Sequence, residues 1–231
     1  MIRVISVASE MTPWVKTGGL ADVVGALPNA LRLECVEMVV LLPFYGDLKS
    51  SLNHSQMRVV SEYGDCFGGY TRLLTLMGKE KNVVFMDAPH LFGFSGNPYT
   101  LDDGSDRSDG DVRFAALSWM AAQISAHGLA LNPNSRGLWF PDLIHTHDWQ
   151  TGLVPEYCAQ LKLKIPILYT IHNAAFQGIT TFERIPMLGI STEVISIDKA
   201  EFWGRISFLK AGLNGANYLS TVSPSYAREL T

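Results

Sequence analysis

The chain has 231 residues, 47% of them hydrophobic and 17% charged, with a formal net charge of −4 at neutral pH. This composition provides enough apolar side chains for a sizeable core, which excludes a disordered chain. The acidic balance argues against a nucleic-acid partner, because nucleic-acid-binding surfaces cluster Lys and Arg. No apolar stretch approaches the roughly 20 residues that span a bilayer, so we also expect no membrane contact.

The cysteines and the N-terminal residues indicate the compartment. Cys35, Cys66 and Cys158 are scattered, odd in number and without the spacing of a metal site. At least one of them has no partner within the chain, which is typical of reduced thiols in the cytosol. The first apolar run is too short for a secretory signal peptide. We therefore expect a cytoplasmic protein.

The first predicted elements surround a pair of glycines. Residues 3–8 form a short β-branched run that predicts a strand, and apolar residues at helical spacing over 20–31 predict a helix. Between them, Gly18 and Gly19 would let an anionic ligand approach the N–H groups at the start of the helix. Lys16 would add a cation suited to a phosphate. The alternative interpretation is a plain tight turn beside a solvated lysine.

Further apolar runs predict more of a sheet. Residues 36–42, interrupted only by Glu37, and residues 82–87 are apolar without alternation, as in parallel strands that are covered on both faces. Residues 56–61 and 70–76 flank two glycines and predict an inserted hairpin. The glycine- and proline-rich segment that follows, up to Asp111, is typical of a functional or mobile loop. For its aromatic residue, Tyr99, an incidental position in a solvated loop is the simpler interpretation.

The second half of the chain alternates between helices and strands. We predict helices over 112–124, 149–161 and 206–213, and strands over 141–146, 165–171 and 218–222. Asp148 is expected to cap the helix that follows it, and Ser223 the last helix. The alternation predicts an α/β fold with a doubly wound, mostly parallel sheet, helices on both faces, and one domain over residues 1–231.

Three polar segments follow predicted strands, at residues 10–19, 147–149 and 172–173. Because parallel strands bring their carboxyl ends to one edge of a sheet, where α/β folds bind ligands, we expect these segments to share a site. No Gly-x-Gly-x-x-Gly fingerprint and no Gly-Lys-Ser/Thr motif occurs, which disfavours a dehydrogenase or a P-loop NTPase. We expect no cofactor.

His145 and His147 lie two residues apart on a predicted strand, so their side chains point to the same face. One interpretation is a pair of metal ligands, although no carboxylate or third histidine stands at a matching spacing. A second is that His147, at the end of the strand, hydrogen-bonds a substrate. A third is a buried histidine satisfied by the backbone. We expect no metal.

Taken together, these stretches resemble the bacterial glycogen synthase and plant starch synthase family. The matching stretches are 10–13, 16–23 (KTGGLADV), 41–45, 97–99, 145–150 (HTHDWQ), 170–178 (TIHNAAFQG), 207–213 and 221–227. Each is modest evidence alone, but all eight occur in the order of the family. The resemblance implies the Rossmann-like, acceptor-side N-terminal half of a GT-B glycosyltransferase, whose C-terminal nucleotide-binding domain lies outside this sequence.

The resemblance also implies an activity. Members of the family are retaining glucosyltransferases that move glucose from ADP-glucose to the non-reducing end of an α-1,4-glucan, without a required metal. Retention by front-face attack or through a covalent intermediate both stay open. The second domain would supply most nucleotide contacts and an essential glutamate, so we expect the fragment alone to be inactive. The location implied is the bacterial cytoplasm.

The family's donor site maps onto four residues of the chain. By the resemblance, Lys16 would bind ADP-glucose, and Gly18 and Gly19 would lie near its diphosphate. His147 would be the catalytic histidine that hydrogen-bonds the transferred glucose. Two competing hypotheses remain, a non-catalytic glycan-binding module and a metal-dependent hydrolase that uses the two strand histidines.

Three further residues are carried over from the family. Asp22 would lie near the donor; the alternative interpretation is a buried, structural role at the start of the helix. Tyr99 and Asn173 would contact donor or acceptor sugars, which aromatic rings and amides bind well. The chain departs from the family at residues 33–36, where members usually have a glycine and this sequence reads LECV. The departure puts the geometry of that turn in question.

Overall fold

The computed structural model of the chain describes residues 1–77 and 82–230. An eight-stranded sheet with the order β11-β7-β6-β1-β2-β5-β4-β3 forms its centre, beside a small sheet with the order β8-β10-β9. The strands are β1 Ile2–Val7, β2 Val36–Pro43, β3 Met57–Tyr63, β4 Thr71–Leu76, β5 Val83–Asp87, β6 Leu143–His147, β7 Ile167–Ile171, β8 Ile179–Thr180, β9 Glu201–Phe202, β10 Arg205–Ser207 and β11 Tyr218–Thr221.

Helices connect most of these strands. The α-helices are α1 Gly19–Arg32, α2 Gly46–Ser51, α3 Pro89–Phe92, α4 Gly110–His127, α5 Val154–Gln160, α6 Ile185–Leu188, α7 Phe208–Gly215 and α8 Pro224–Glu229. Short 3-10 turns lie at His54–Gln56, Trp149–Thr151, Phe182–Arg184 and Thr192–Val194. Within the described residues, no helix is both long enough and apolar enough to span a membrane.

The large sheet is doubly wound around β1, as predicted. Strand β1 pairs in parallel with β2 on one side and with β6 on the other. The chain builds outward from β2 first and then returns to β6, β7 and β11, so the direction of winding reverses beside β1. Such a reversal creates a crevice at the carboxyl ends of the strands. The predicted hairpin is also confirmed, because β3 and β4 pair antiparallel at one edge of the sheet.

Strand β2 shows why its sequence is apolar without alternation. Val39 and Leu41 pack into the core cluster on the face that α4 covers, whereas Val40 and Leu42 pack into the cluster on the opposite face, against α1. A parallel strand with helices on both faces buries every side chain. The fold class predicted from the sequence is therefore confirmed.

Two parts of the fold were not predicted. Helix α2 is separated from β2 by two residues. Strands β8 and β9, which pair with β10, lie at the two ends of residues 179–202, a stretch for which the sequence predicts no regular element. Strands of two or three residues are too short to give a periodic sequence signal. At the turn over 33–36, where the sequence departs from the family, Cys35 adopts a φ of +58°. This left-handed conformation is sterically strained for a residue other than glycine.

Candidate functional site

The carboxyl ends of β1, β6 and β7 bring the three predicted polar segments to one edge of the sheet. Val7 pairs with Thr146 across β1 and β6, and His147 pairs with Thr170 across β6 and β7. The polar residues that follow each strand therefore project from neighbouring positions. This edge is the predicted place for a ligand in an open α/β sheet.

Lys16 and Asp22 contact each other at the start of α1. The Lys16 Nζ lies 2.8 Å from Asp22 Oδ1 and 2.7 Å from Oδ2. Both side chains are more than half exposed, at 53% and 55%. An ion pair this exposed contributes little to folding. It leaves the lysine ammonium accessible to a ligand beside the helix N-terminus.

The glycine pair is not required by the fold. Gly18 has an extended backbone with φ −147°, and neither Gly18 nor Gly19 adopts a positive φ. A Cβ atom added to either glycine would meet no atom within 4 Å. The interpretation of a glycine-dependent tight turn therefore has no support in the geometry. Two exposed glycines with open space in front of them leave room for a ligand to reach the backbone.

Glu10 lies beneath this turn and contacts it directly. The residue is only 3% exposed. Glu10 Oε2 accepts hydrogen bonds from the N–H groups of Thr17 and Gly18, the latter at 3.2 Å, and Oε1 accepts from Thr17 Oγ1 at 2.7 Å. The N–H group of Gly18, which was predicted to be available to a phosphate, is thus occupied by the protein's own carboxylate. The first N–H groups of α1 itself have no partner within the helix, as at any helix N-terminus.

Tyr99 reaches the same carboxylate from a distant loop. Its hydroxyl donates to Glu10 Oε1 at 2.5 Å and lies 2.8 Å from Ser9 Oγ. Burial of the hydroxyl, together with the charges of Tyr45 and Glu10, raises the pKa of Tyr99 well above its usual value. The phenol is therefore a neutral donor, and it is used within the protein. The prediction of an incidental, solvated tyrosine is wrong.

The loop around Tyr99 is anchored at several other points. Buried Arg113 donates to the Pro98 carbonyl at 2.9 Å, and Arg107 donates to the Asn97 carbonyl at 3.0 Å. Asn97 Oδ1 accepts from the Tyr99 N–H at 2.8 Å. These contacts make this part of the predicted mobile loop a fixed wall of the site.

A cleft of about 370 Å³ separates this wall from the turn. Lys16 and Thr17 line one side, and Gly96, Asn97 and Pro98 line the other. Its volume is within the range of small-ligand sites.

His147 lies in a row of histidines at the end of β6. It is completely buried; its Nε2 lies 3.1 Å from Ser6 Oγ, and its Nδ1 lies 3.0 Å from Nε2 of His172. Burial, aided by the neighbouring histidines, lowers the pKa of His147 well below its usual value. His172 is half-buried, and burial lowers its pKa to about 4. The outer ring of the pair is thus His172.

His145 packs against the same row. The rings of His145 and His147 are 4.1 Å apart, which confirms that both point to one face, and His145 Nε2 lies 2.7 Å from Thr170 Oγ1. Burial, with the nearby His172, lowers the pKa of His145 to about 4. Within the described residues, no group of three or more His, Cys, Asp and Glu side chains is arranged to hold a metal ion.

The side chain of Asp148 accepts hydrogen bonds from the residues after β7 and does not cap a helix. Its Oδ1 accepts from the N–H groups of His172 and Asn173, at 2.7 and 3.2 Å, and it makes no side-chain cap. The predicted N-cap is therefore wrong, because the neighbouring strand end offers two N–H donors. Asp148 has a φ of +54°. Burial and, to a smaller extent, the charge of Glu10 raise the pKa of Asp148 to about 6, against the lowering effect of the two backbone hydrogen bonds.

Asn173 is exposed at the rim, where its side chain accepts from the N–H of Ala175 at 3.0 Å. The predicted residues thus form two groups on one edge, the turn with Tyr99 and the histidine row with Asn173. No specific role is predicted from the sequence for Glu10 or His172. In the structure, Glu10 joins the turn to Tyr99, and His172 contacts His147. The available signal for Glu10 is its position close after the end of the first predicted strand, since a carboxylate that is buried there is seldom without a partner.

Comparisons with known proteins identify the family to which the chain is similar. A family model described as the starch synthase catalytic domain matches residues 3–231. The glycogen synthase of Granulibacter bethesdensis is 45% identical over 232 residues, which cover 99% of this chain and 46% of that protein. The glycogen synthase of Roseobacter denitrificans is 45% identical over 237 residues, with the same coverage. The chain spans about half the length of these relatives.

A solved structure shows the same fold. The catalytic domain of starch synthase IV from Arabidopsis thaliana, bound to ADP and acarbose, superposes with a TM-score of 0.74 at 26% identity. The match covers 99% of this chain and 46% of that one. The family match over nearly the whole chain and the shared fold confirm the resemblance, and the chain belongs to the starch synthase catalytic-domain family, together with bacterial glycogen synthases.

Proposed function

We propose that this chain is the N-terminal, acceptor-side domain of a bacterial glycogen synthase. The full protein would transfer glucose from ADP-glucose to the non-reducing end of an α-1,4-glucan, with retention of configuration and without a metal or cofactor. The named relatives are glycogen synthases, and the similar starch synthase structure is bound to ADP and acarbose. The observation that carries the proposal is Lys16 beside two open glycines, on the same edge of the sheet as His147.

The turn is the proposed donor side of the site. Departure of ADP leaves negative charge on its diphosphate, and a transfer enzyme must stabilise that charge. Lys16 supplies an exposed ammonium, which the ion pair with Asp22 positions at the turn. The N–H groups of Gly19 and the residue after it, at the positive end of the α1 dipole, supply further donors. The open space in front of Gly18 and Gly19 admits the phosphate oxygens.

The histidine row is the proposed sugar side. We assign His147 as the catalytic histidine that hydrogen-bonds the transferred glucose, with Asn173 and Tyr99 among the sugar contacts. His147 is fully buried behind half-buried His172, so contact with glucose requires the His172 ring to turn aside. The depressed pKa of each ring keeps it neutral at physiological pH, so each imidazole has one donor and one acceptor nitrogen. In His147, Nε2 contacts Ser6, and Nδ1 would become free for a sugar hydroxyl when His172 turns aside.

The other half of the protein completes the proposed site in cis. In the family, the C-terminal domain contributes most nucleotide contacts and an essential glutamate, so this chain alone would not turn over. We place the protein in the bacterial cytoplasm. Three free cysteines within the described residues support a reducing compartment.

A transfer assay with the full-length protein tests the proposal. Incubation with ADP-glucose and a maltooligosaccharide should lengthen the acceptor through α-1,4 bonds, whereas the 231-residue chain alone should give no product. Transfer from UDP-glucose only would contradict the donor assignment. Binding of the glucan by folded full-length protein without any transfer would contradict the enzyme and favour a glycan-binding module.

A further inference from the structure

One carboxylate joins the two walls of the cleft. Glu10 accepts hydrogen bonds from the Thr17 backbone, the Thr17 hydroxyl, the Gly18 backbone and the Tyr99 hydroxyl. The first three donors belong to the turn that precedes α1, and the fourth belongs to the loop that forms the opposite wall. Glu10 and Tyr99 are 89 positions apart in the sequence. Both walls are therefore fixed to the same side chain.

The charge of Glu10 is balanced by these donors and by the helix. Within residues 1–77 and 82–230, the ion pairs of the protein do not include Glu10. A buried carboxylate is costly unless hydrogen bonds replace its water, and charge-assisted bonds are the strong ones. The N-terminus of α1 beside it also favours negative charge. All of these donors come from the two walls, so the carboxylate is stable only while both walls are in place.

From this geometry we propose that Glu10 is a positioning residue, which sets the width of the cleft by holding the turn with Lys16 against the loop with Tyr99. It touches no substrate; it places the groups that do. The inference rests on the proposed transfer function for its kinetic consequence, but the connection itself is a property of the chain. Tyr99 would then have a structural role in addition to its proposed sugar contact. Among the described contacts, its hydroxyl is the only link from its loop to Glu10.

Kinetics of the full-length protein test the connection, with Glu10→Gln, Tyr99→Phe and the double variant. Glu10→Gln keeps the shape of the side chain but removes its charge, and Tyr99→Phe removes the same bond from the other side. We expect each single variant to raise KM for ADP-glucose about tenfold with a smaller change in kcat, as loss of one charge-assisted hydrogen bond would. The double variant should show no larger rise than the worse single variant, because the singles remove one shared contact.

Two matched control variants and a measurement of hydrogen exchange test whether the kinetic effects come from the contact between Glu10 and Tyr99. Glu34→Gln and Tyr218→Phe change exposed residues of the same types and should leave both constants unchanged. Hydrogen exchange should show faster exchange at the Gly18 N–H and in residues 96–100 of Glu10→Gln, with unchanged exchange in β1. This second readout needs no transfer activity, so it tests the connection even if the proposed function fails. Multiplicative KM effects in the double variant, or wild-type exchange at Gly18, would overturn the proposal.

Discussion

Asp148 shows how one side chain can hold two strand ends in register. Its carboxylate follows β6 and accepts two N–H groups from the residues that follow β7. The residue has a φ of +54°, a conformation that costs a non-glycine residue energy and persists only where neighbours enforce it. The contacts hold His172, the outer histidine of the row. Asp148 therefore orients the site without being placed to touch the substrate itself.

Two substitutions of Asp148 test the hydrogen bonds that its carboxylate accepts. Asp148→Ala leaves two N–H groups without an acceptor, so we expect the free energy of unfolding to fall by about 2 kcal/mol. Asp148→Asn keeps an acceptor oxygen and tolerates positive φ better, so its loss should be smaller. Urea denaturation of both variants measures the difference. Equal losses in the two variants would contradict the assigned hydrogen bonds.

The start of α1 contains two glycines that the fold does not require. Gly18 and Gly19 meet no crowding and no positive φ, whereas other glycines of the chain are sterically required. At Gly152, an added Cβ would lie 1.9 Å from the carbonyl oxygen of Phe208, where α7 crosses the turn after β6. The two kinds of glycine look alike in the sequence, and only packing distinguishes them.

This contrast predicts opposite results for two alanine substitutions. Gly152→Ala should lower the free energy of unfolding by about 3 kcal/mol, because the backbone of α7 must move. Gly19→Ala should leave stability unchanged or raise it by up to about 1 kcal/mol, because alanine favours the helix. In the full-length protein, Gly19→Ala should nevertheless raise KM for ADP-glucose. Wild-type kinetics of a stable Gly19→Ala protein would contradict the role of the glycine pair.

The sequence is informative about elements and weak about contacts. Long apolar runs and their alternation with helices predict the parallel sheet, because burial on both faces leaves a clear pattern in β2 and β5. The edge that collects Lys16 and His147 follows from strand direction alone. The contact of Glu10 with Tyr99 does not, since no local pattern specifies which distant loop meets a given strand end. The small sheet is missed because its strands are too short.

Across the whole molecule, the histidine row connects four strands of the sheet. Ser6 of β1 contacts His147 of β6, His145 of β6 contacts Thr170 of β7, and Thr170 lies 2.6 Å from Ser220 of β11. Burial lowers the pKa values of His145, His147 and His172 below the usual value for histidine. The half of the sheet from β1 to the edge strand β11 therefore contains neutral imidazoles.

Acid should accordingly destabilise the protein. Between about pH 6.5 and pH 4 the unfolded histidines bind protons that the folded ones do not, so each contributes stability that is lost as the pH falls, at up to about 1.4 kcal/mol per pH unit. Asp148, whose pKa is raised to about 6, acts in the opposite direction between pH 6 and pH 4 but is a single group. The net effect is a loss of stability in acid.

Denaturation by urea at several pH values between 7.5 and 4.5 checks this dependence. His172→Asn should flatten the decline, whereas His127→Asn, at an exposed position, should follow the wild type. Constant or rising stability on acidification would show that the three rings are not held neutral by the fold.

The central claim is that the turn at Lys16 receives the diphosphate of a sugar nucleotide. Its most direct measurement is the KM for ADP-glucose of full-length Lys16→Ala, compared with Lys164→Ala at another exposed lysine. We predict about a tenfold rise for Lys16→Ala only, with KM for the glucan unchanged. The free energy of unfolding should also stay unchanged, because the ion pair of Lys16 with Asp22 is exposed. An unchanged KM for ADP-glucose in Lys16→Ala would contradict this claim.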